Sequence, residues 1–270
     1  MIYAMSDIHG CDRQLAKNLQ QVDWGGDNCL ILLGDYIDYG GESGEVLHRI
    51  YDLQKQYGNE KVVVLKGNHE AMLLEWIHEY RKKPSAELEA LAYDSWLKTD
   101  SMQGFNTFRT LVPEKVFEEF DHFCRKASFI EMNVRAVSLL LDHNRDIVVW
   151  LTKLPSFYET VSQIFVHAGV DEEAEEYWKW GTGDDMFLWK HPASYGPFVK
   201  TVVAGHIGTG GLAHDEHFHD VYFDGDSHYY IDGSVYKGGK LLLLGYDANE
   251  DAYFQIEDGK MVAVKKFRFP

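Results

Sequence analysis

The sequence predicts an α/β fold: a parallel sheet with covering helices, interrupted by a long helical segment and completed by an antiparallel C-terminal part. Three observations predict it. Short β-branched or Leu-rich runs alternate with helical patterns in the N-terminal quarter. The apolar period becomes helical from Ala71 to about Leu154. From Val221 onward, apolar runs are separated by Asp-Gly and Gly-Gly turns.

Ile2–Met5, Cys29–Leu33, Lys61–Leu65, Gln163–Val166 and Lys200–Ala204 have the continuous apolar character of strands buried on both faces. Leu15, Leu19 and Val22 share a helical face after the first strand; Val46, Leu47, Ile50, Tyr51 and Leu53 share one after the second. In the helical segment Met72, Leu73, Trp76, Ile77 and Tyr80 form one stripe. Leu88, Leu91, Ala92, Ser95 and Trp96 form a second after Pro84, and Val116, Phe117, Phe120, Phe123 and Cys124 a third. Trp76, Tyr80, Tyr93 and Trp96 are expected in the core. Val221–Phe223, Tyr229–Ile231, Leu241–Tyr246, Ala252–Ile256 and Met261–Val264 are the expected antiparallel strands, with a hairpin turn at Glu257-Asp258-Gly259-Lys260. No repeat or linker divides the chain. Residues 1–270 are therefore expected to form one domain with a helical insertion at about 71–154.

The 270 residues include 26 Lys and Arg against 43 Asp and Glu, a net charge of −17. That balance argues against nucleic acid and anionic membranes as partners, because both need clustered cations. It also repels anionic substrates at long range, so a phosphate site must create its own positive field. Cys11, Cys29 and Cys124 are an odd, unpatterned set and predict reduced thiols in a cytoplasmic protein. MIYAMSDIHG has no basic start and predicts no signal peptide. The longest apolar runs fall far short of the ~20 residues that span a bilayer.

Each strand of the first two-thirds runs into chemistry-bearing residues. The first ends in Ser6-Asp7-Ile8-His9-Gly10, the second in Gly34-Asp35-Tyr36-Ile37-Asp38-Tyr39-Gly40, the third in Gly67-Asn68-His69-Glu70. The fourth ends in Val166-His167-Ala168-Gly169 and the fifth in Ala204-Gly205-His206. Alone, each is an ordinary turn, cap or satisfied histidine. Five in order, each at a strand end with glycine beside it, point to one convergent site at the carboxyl edge of the sheet. Carboxylate, imidazole and amide oxygen without thiolate suit Mn²⁺, Fe²⁺ or Zn²⁺. Asp7, His9, Asp35, Asn68, His167 and His206 are too many ligands for one tetrahedral ion and suit two ions sharing a carboxylate, an arrangement used for displacement at phosphorus.

The series DIHG, GDYIDYG, GNHE, VHAG and AGH resembles the calcineurin-like metallophosphoesterase superfamily, and within it the bacterial PPP-type serine/threonine phosphatases, which are related to bacterial diadenosine tetraphosphatases. The resemblance covers most of the chain. It implies a sandwich of two mixed β-sheets flanked by helices. It implies that Asp7 and His9 bind a first metal, Asp35 bridges, and Asn68, His167 and His206 bind a second, with manganese the expected metal and iron or zinc the alternatives. It further implies that His69 is the general acid, that Asp38 pairs with it, and that a metal-bridging hydroxide attacks in line without a covalent enzyme intermediate. The chemistry agrees, since an imidazolium beside a carboxylate can protonate a leaving oxygen at neutral pH.

Two departures stand out. Tyr39 occupies the place of an arginine that resemblance leads one to expect, and Lys190-His191 follow Leu188-Trp189 where a second is expected. Lys and Tyr cannot reproduce a bidentate guanidinium clamp. Tyr39, Arg13, Lys190 and His191 are the candidate substrate-binding residues. Residues 205–232, with His214, His217, His219, His228, Asp215, Asp220, Asp224 and Asp226, suggest either a third metal site or, more simply, a solvated acidic loop. The expected function is dimetal hydrolysis of phosphomonoesters, foremost phosphoserine and phosphothreonine, on a protein or a small substrate. The enzymatic alternative is hydrolysis of diadenosine tetraphosphate or another small phosphoester; enzymes of the first kind typically carry Ala where Asp38 stands. The non-enzymatic alternative is a metal-binding regulator that has lost catalysis.

Overall fold

A computed structural model describes residues 1–81, 95–98 and 104–267. β1 (Ile2–Met5), β2 (Cys29–Leu32) and β3 (Val62–Val64) are parallel, connected through α1 (Asp12–Leu19) and α2 (Ser43–Tyr57). The second sheet holds β4 (Phe157–Glu159), β5 (Gln163–Val166), β6 (Thr201–Gly208), β7 (Tyr222–Phe223) and β8 (His228–Asp232) in the order β4-β5-β6-β8-β7. The chain then returns to the first sheet. β9 (Leu244–Asp247) pairs antiparallel with β1, and β10 (Ala252–Glu257) and β11 (Lys260–Ala263) extend it to the order β11-β10-β9-β1-β2-β3.

Two expectations need correction. β8, containing Tyr229–Ile231, runs parallel to β6, because the chain between them crosses over through the helical turn Thr209–Leu212 and a separate edge strand, β7. β4 is an additional strand. Its three half-buried residues on the sheet edge carry no periodic signal.

The helical segment contains α3 (Asn68–Arg81), α4 (Gly104–Thr110), α5 (Glu114–Cys124) and α6 (Phe129–Leu151). Ser128 and Glu131 form a reciprocal capping box that starts α6. Trp76, Tyr80 and Trp96 are buried as expected, whereas Phe123 of the third stripe is exposed. Leu88, Leu91, Ala92 and Tyr93 lie outside the described residues.

Strand alternation explains the architecture. Ala4, Ile31, Leu33 and Val63 of the first sheet meet Phe165, Val203 and Ile231 of the second in one apolar layer. The alternate residues Tyr3, Met5, Leu30 and Leu32 pack outward against Leu15, Val46, Ile50, Leu73 and Ala136 of the helices. Ile164, Val166 and Val202 do the same against Trp178, Phe187 and Leu212. Both faces of each central strand are thus covered, which is why their sequences are apolar without alternation. The fold is a sandwich of two mixed sheets flanked by helices.

Candidate metal centre

The loops after β1 and β2, the start of α3 after β3, and the end of β6 meet at a cavity of about 380 Å³ lined by Asp7, His9, Asp35, Asn68, His69 and His206. His167, after β5, is fully buried behind them, its Nε2 3.4 Å from Asp35 Oδ1. Sharp backbone turns make this convergence. Asp7, His9, Asp35 and His206 have φ of 54°, 44°, 57° and 65°, in the left-handed region. Asp and His tolerate that region better than most residues, but it still carries strain. His206 sits where the register of β6 against β8 shifts between Ala204 and Gly208. Its neighbour Gly205 is required sterically, because a Cβ there would fall on Asp7 Oδ2 and Ser6 Oγ.

The donor atoms form two groups that share Asp35: His9, Asp35 and His69, and Asp35, His167 and His206. His9 Nδ1 donates to Ile37 O at 2.8 Å and His167 Nδ1 donates to Leu33 O at 3.1 Å, so the Nε2 lone pair of each points into the site. His9 Nε2 is 3.8 Å from Asp7 Oδ1 and 3.6 Å from Asp35 Oδ2. Asp7 Oδ2 accepts from the His206 N–H at 2.9 Å. The Asn68 amide oxygen lies 2.7 Å from His167 Nε2 and 3.2 Å from His206 Nδ1, and the same position is 3.2 Å from Asp35 Oδ2. With that amide oxygen inward, only acceptors face one another, and a cation among them satisfies all of them at once. The donor set therefore fits divalent metal ions.

The electrostatics agree. Burial, with repulsion from His69, lowers His9 to about 3 and His206 to about 4; burial and His206 hold His167 well below its ordinary range. These imidazoles are neutral, the form that ligates metal. Burial raises Asp35 to about 7 and Asp232 to about 6. Asp7 is raised by burial and by Asp232 and Asp35. Several buried carboxylates without a cation are costly to ionise together.

His69 differs from the other imidazoles. Its Nδ1 pairs with Asp38 Oδ2 at 2.7 Å, and its Nε2 stands 3.8 Å from Asp35 Oδ2. Burial pushes its pKa down, but Asp35 and Asp38 outweigh burial and raise it to about 9. Asp38 is completely buried and also accepts from Trp96 Nε1 at 3.0 Å and Thr107 Oγ1 at 2.7 Å. The helical segment therefore holds the carboxylate that holds the imidazole. Glu70, also completely buried, accepts from the backbone N–H groups of Asp35, Tyr36 and Gly67 at 2.9, 2.8 and 3.0 Å, tying two metal-site loops together.

Of the expected substrate residues only Tyr39 lines the cavity. Its ring stacks on Tyr236 at 4.2 Å and meets the His9 and His69 rings edge-on. Burial raises its phenol to about 12, so it is a neutral donor. The other three lie elsewhere. Arg13 is exposed and pairs with Glu42 at 3.3 Å, as its first-turn position on α1 dictates. Lys190 turns onto Glu172 and the Val170 carbonyl, its stem packed beside Gly169. His191 lines a neighbouring cavity of about 960 Å³. Asp232, Tyr236, Trp189 and Met72 line the metal cavity and were not expected there, nor were Trp96 and Thr107 in support of Asp38. Asp232 had a usable signal, an Asp-Gly at the end of β8. His214, His217 and His219 join no metal-capable cluster among the described residues, and His228 pairs with Asp224 at 2.9 Å.

The family model for calcineurin-like phosphoesterases matches residues 1–236. Symmetrical bis(5'-nucleosyl)-tetraphosphatases of Paracidovorax citrulli and Thioalkalivibrio sulfidiphilus are each 37% identical, over 82 and 91 residues, covering 30% and 32% of this chain. The matches span only 28% and 32% of those relatives. Among solved structures, a cold-active protein tyrosine phosphatase superposes with a TM-score of 0.55 at 16% identity, covering 97% of this chain and 80% of that one. A protein serine/threonine phosphatase of Saccharomyces cerevisiae superposes with a TM-score of 0.50 at 13% identity, covering 98% and 80%. These two likenesses concern the fold alone.

Proposed function

The chain belongs to the calcineurin-like phosphoesterase family, and we propose that it hydrolyses phosphomonoesters of alcohols, with phosphoserine and phosphothreonine the leading substrates. The observation that carries this reading is the buried Asp38–His69 pair at 2.7 Å beside Asp35. An alkoxide is a strong base and leaves poorly unless protonated. The phosphate leaving group of a dinucleoside polyphosphate is a far weaker base and needs no such acid. A charged, oriented His69 therefore has its greatest use against an alcohol ester.

In this reading Asp7, His9, Asp35, Asn68, His167 and His206 would hold divalent metal ions, manganese foremost, and Asp35 stands in both groups of donors. When bound, the ions supply charge neutralisation at phosphorus and a nucleophilic water. The protein's own part is distinct. Ile37 O and Leu33 O fix the tautomers of His9 and His167. Glu70 fixes the loops that carry Asp35 and Asn68. His69 Nε2 gives its proton to the leaving oxygen, and Asp38 stabilises and orients the charged ring. Tyr39 offers a neutral hydrogen bond to a phosphoryl oxygen.

A second reading is hydrolysis of dinucleoside tetraphosphates, favoured by the names of the two relatives above and by the tyrosine at position 39. Manganese-loaded protein assayed on a phosphopeptide, p-nitrophenyl phosphate, its bis-ester and diadenosine tetraphosphate separates the two. Higher kcat/KM on the phosphopeptide supports the monoesterase; a large preference for the dinucleotide replaces it with the second reading. His69→Ala is expected to cut turnover of the phosphopeptide while metal content persists, and unchanged turnover would remove His69 from the mechanism.

A further inference from the structure

An anionic ester approaching a chain of net charge −17 is repelled at long range, and a cation at the mouth of the site would offset that repulsion. Arg13 and Lys190 are engaged with Glu42 and Glu172. Among the described residues the cavity is lined by carboxylates, imidazoles, phenols, an amide, Met72 and Trp189, with neither lysine nor arginine.

Lys237 stands at the edge of this lining. It ends the short helical turn Val235–Lys237 after β8, five residues beyond Asp232 and next to Tyr236, both of which line the cavity. Its Nζ lies 5.1 Å from the centroid of the Tyr236 ring. Tyr236 stacks on Tyr39 at 4.2 Å and meets His9 edge-on at 5.0 Å. The ammonium is thus tethered to the aromatic wall of the metal cavity while remaining exposed to solvent. It forms no ion pair among the described residues, unlike nearby Lys240, which bridges Asp220 and Glu257.

We propose that Lys237 anchors the phosphoryl oxygens of the substrate at the mouth of the metal site. The proposal rests on the phosphoesterase reading above and assigns the positive charge that offsets the repulsion. A lysine is a compact charge on a flexible stem rather than a planar fork. It reads the charge of the ester more than its shape, so the contact favours a dianionic monoester over a monoanionic diester. It acts in substrate binding and in product retention, not in proton transfer.

The test compares wild type, Lys237→Gln and Lys237→Arg, all manganese-loaded, on p-nitrophenyl phosphate and its bis-ester, with inorganic phosphate as inhibitor. For Lys237→Gln we expect KM for the monoester and the inhibition constant of phosphate to rise about tenfold, with kcat within about twofold. KM for the diester should rise by only about threefold, and Lys237→Arg should restore most of the loss. A structural role would lower metal content or kcat on both esters alike. Unchanged KM and phosphate inhibition, or equal losses on the two esters, would overturn the assignment. If wild type hydrolyses neither ester, the phosphoesterase reading fails separately. Calorimetric binding of phosphate to the three manganese-loaded proteins then still decides the role of Lys237: equal affinities refute it.

Discussion

Asp38→Asn isolates charge from shape in the proposed general acid. The carboxylate is wholly buried, with His69 and Trp96 on Oδ2 and Thr107 on Oδ1. An asparagine with its oxygen toward His69 and Trp96 places its NH₂ toward Thr107 Oγ1, which can reverse its role and accept. Ser43 Oγ also lies 3.4 Å from Thr107 Oγ1 and can take the Thr107 hydroxyl proton. The fold and the metal ligands should therefore survive. What goes is the negative charge. Burial disfavours the imidazolium, and Asp35 and Asp38 together raise His69 to about 9 against that penalty. The rise from an ordinary 6.5 corresponds to about 3 kcal/mol in favour of the charged ring. Metal ions on Asp35 would take up part of that carboxylate's field, leaving Asp38 as the main support. Its loss should leave His69 neutral at neutral pH. General acids contribute about 10²–10⁴ in rate, so kcat on phosphoserine should fall roughly a hundredfold or more. The p-nitrophenolate leaving group needs little protonation, and its turnover should fall less than about tenfold. The alkaline limb of the phosphoserine pH profile should move to lower pH. The assay is kcat on both esters against pH, with metal content measured on the same samples. Equal loss on both esters at full metal content would refute the general-acid assignment.

Metal affinity should follow the carboxylates rather than the histidines. A metal ion held by Asp35 would require its ionised form, and in the metal-free protein that carboxylate takes up a proton as pH falls through about 7, while His9 and His206 stay neutral down to about 3 and 4. Affinity for Mn²⁺ should therefore drop about tenfold between pH 7.5 and 6 from Asp35 alone, with proton release on binding, as titration calorimetry in two buffers would measure. Gly205→Ala should destabilise the metal-free protein by about 1–3 kcal/mol in denaturant and reduce metal binding, because its Cβ displaces Asp7. Thr107→Val should cost about 1–3 kcal/mol by leaving Asp38 Oδ1 unpaired, and should lower kcat on phosphoserine more than on p-nitrophenyl phosphate.

The sequence was legible wherever a residue's role depends on local order. The apolar runs marked the central strands because these strands are covered on both faces, and the motifs at their ends landed on one cavity because parallel strands present their carboxyl ends together. Local order misled where long-range packing decides. β8 has the composition of a hairpin strand, and only its crossover makes it parallel to β6. Trp96 and Thr107 lie 58 and 69 residues from Asp38, and neither carries a signal that its polar atom is spent on a buried carboxylate. Arg13 and Lys190 were reasonable cations in sequence, but a helix's first turn and a nearby glutamate claim them. Lys237 belongs to no motif, and its place becomes visible only once Tyr236 is found against Tyr39.

Tyr39 links the strain in this site to its chemistry. Asp7, His9, Asp35, Asp38 and His206 all adopt left-handed backbone, but their side chains are among those that accept it. Tyr39, at φ 61°, is bulky and has no such tolerance, so its conformation is of the kind that costs about 1–3 kcal/mol. Glycine stands on its C-terminal side at position 40, where a Cβ would strike the His9 carbonyl, so the whole turn is pressed against the first metal-site loop. The strain is offset by the stack on Tyr236 and by edge contacts to His9 and His69. Those contacts fix both rings from the solvent side, while the Ile37 carbonyl fixes His9 and the Asp38 carboxylate fixes His69 from within. The strained turn at Tyr39 thus sets its ring against the imidazoles of both His9 and His69, so Tyr39→Phe, which keeps the ring, should preserve metal binding, whereas Tyr39→Ala, which frees both imidazoles on that side, should weaken it, as titration calorimetry with Mn²⁺ would measure.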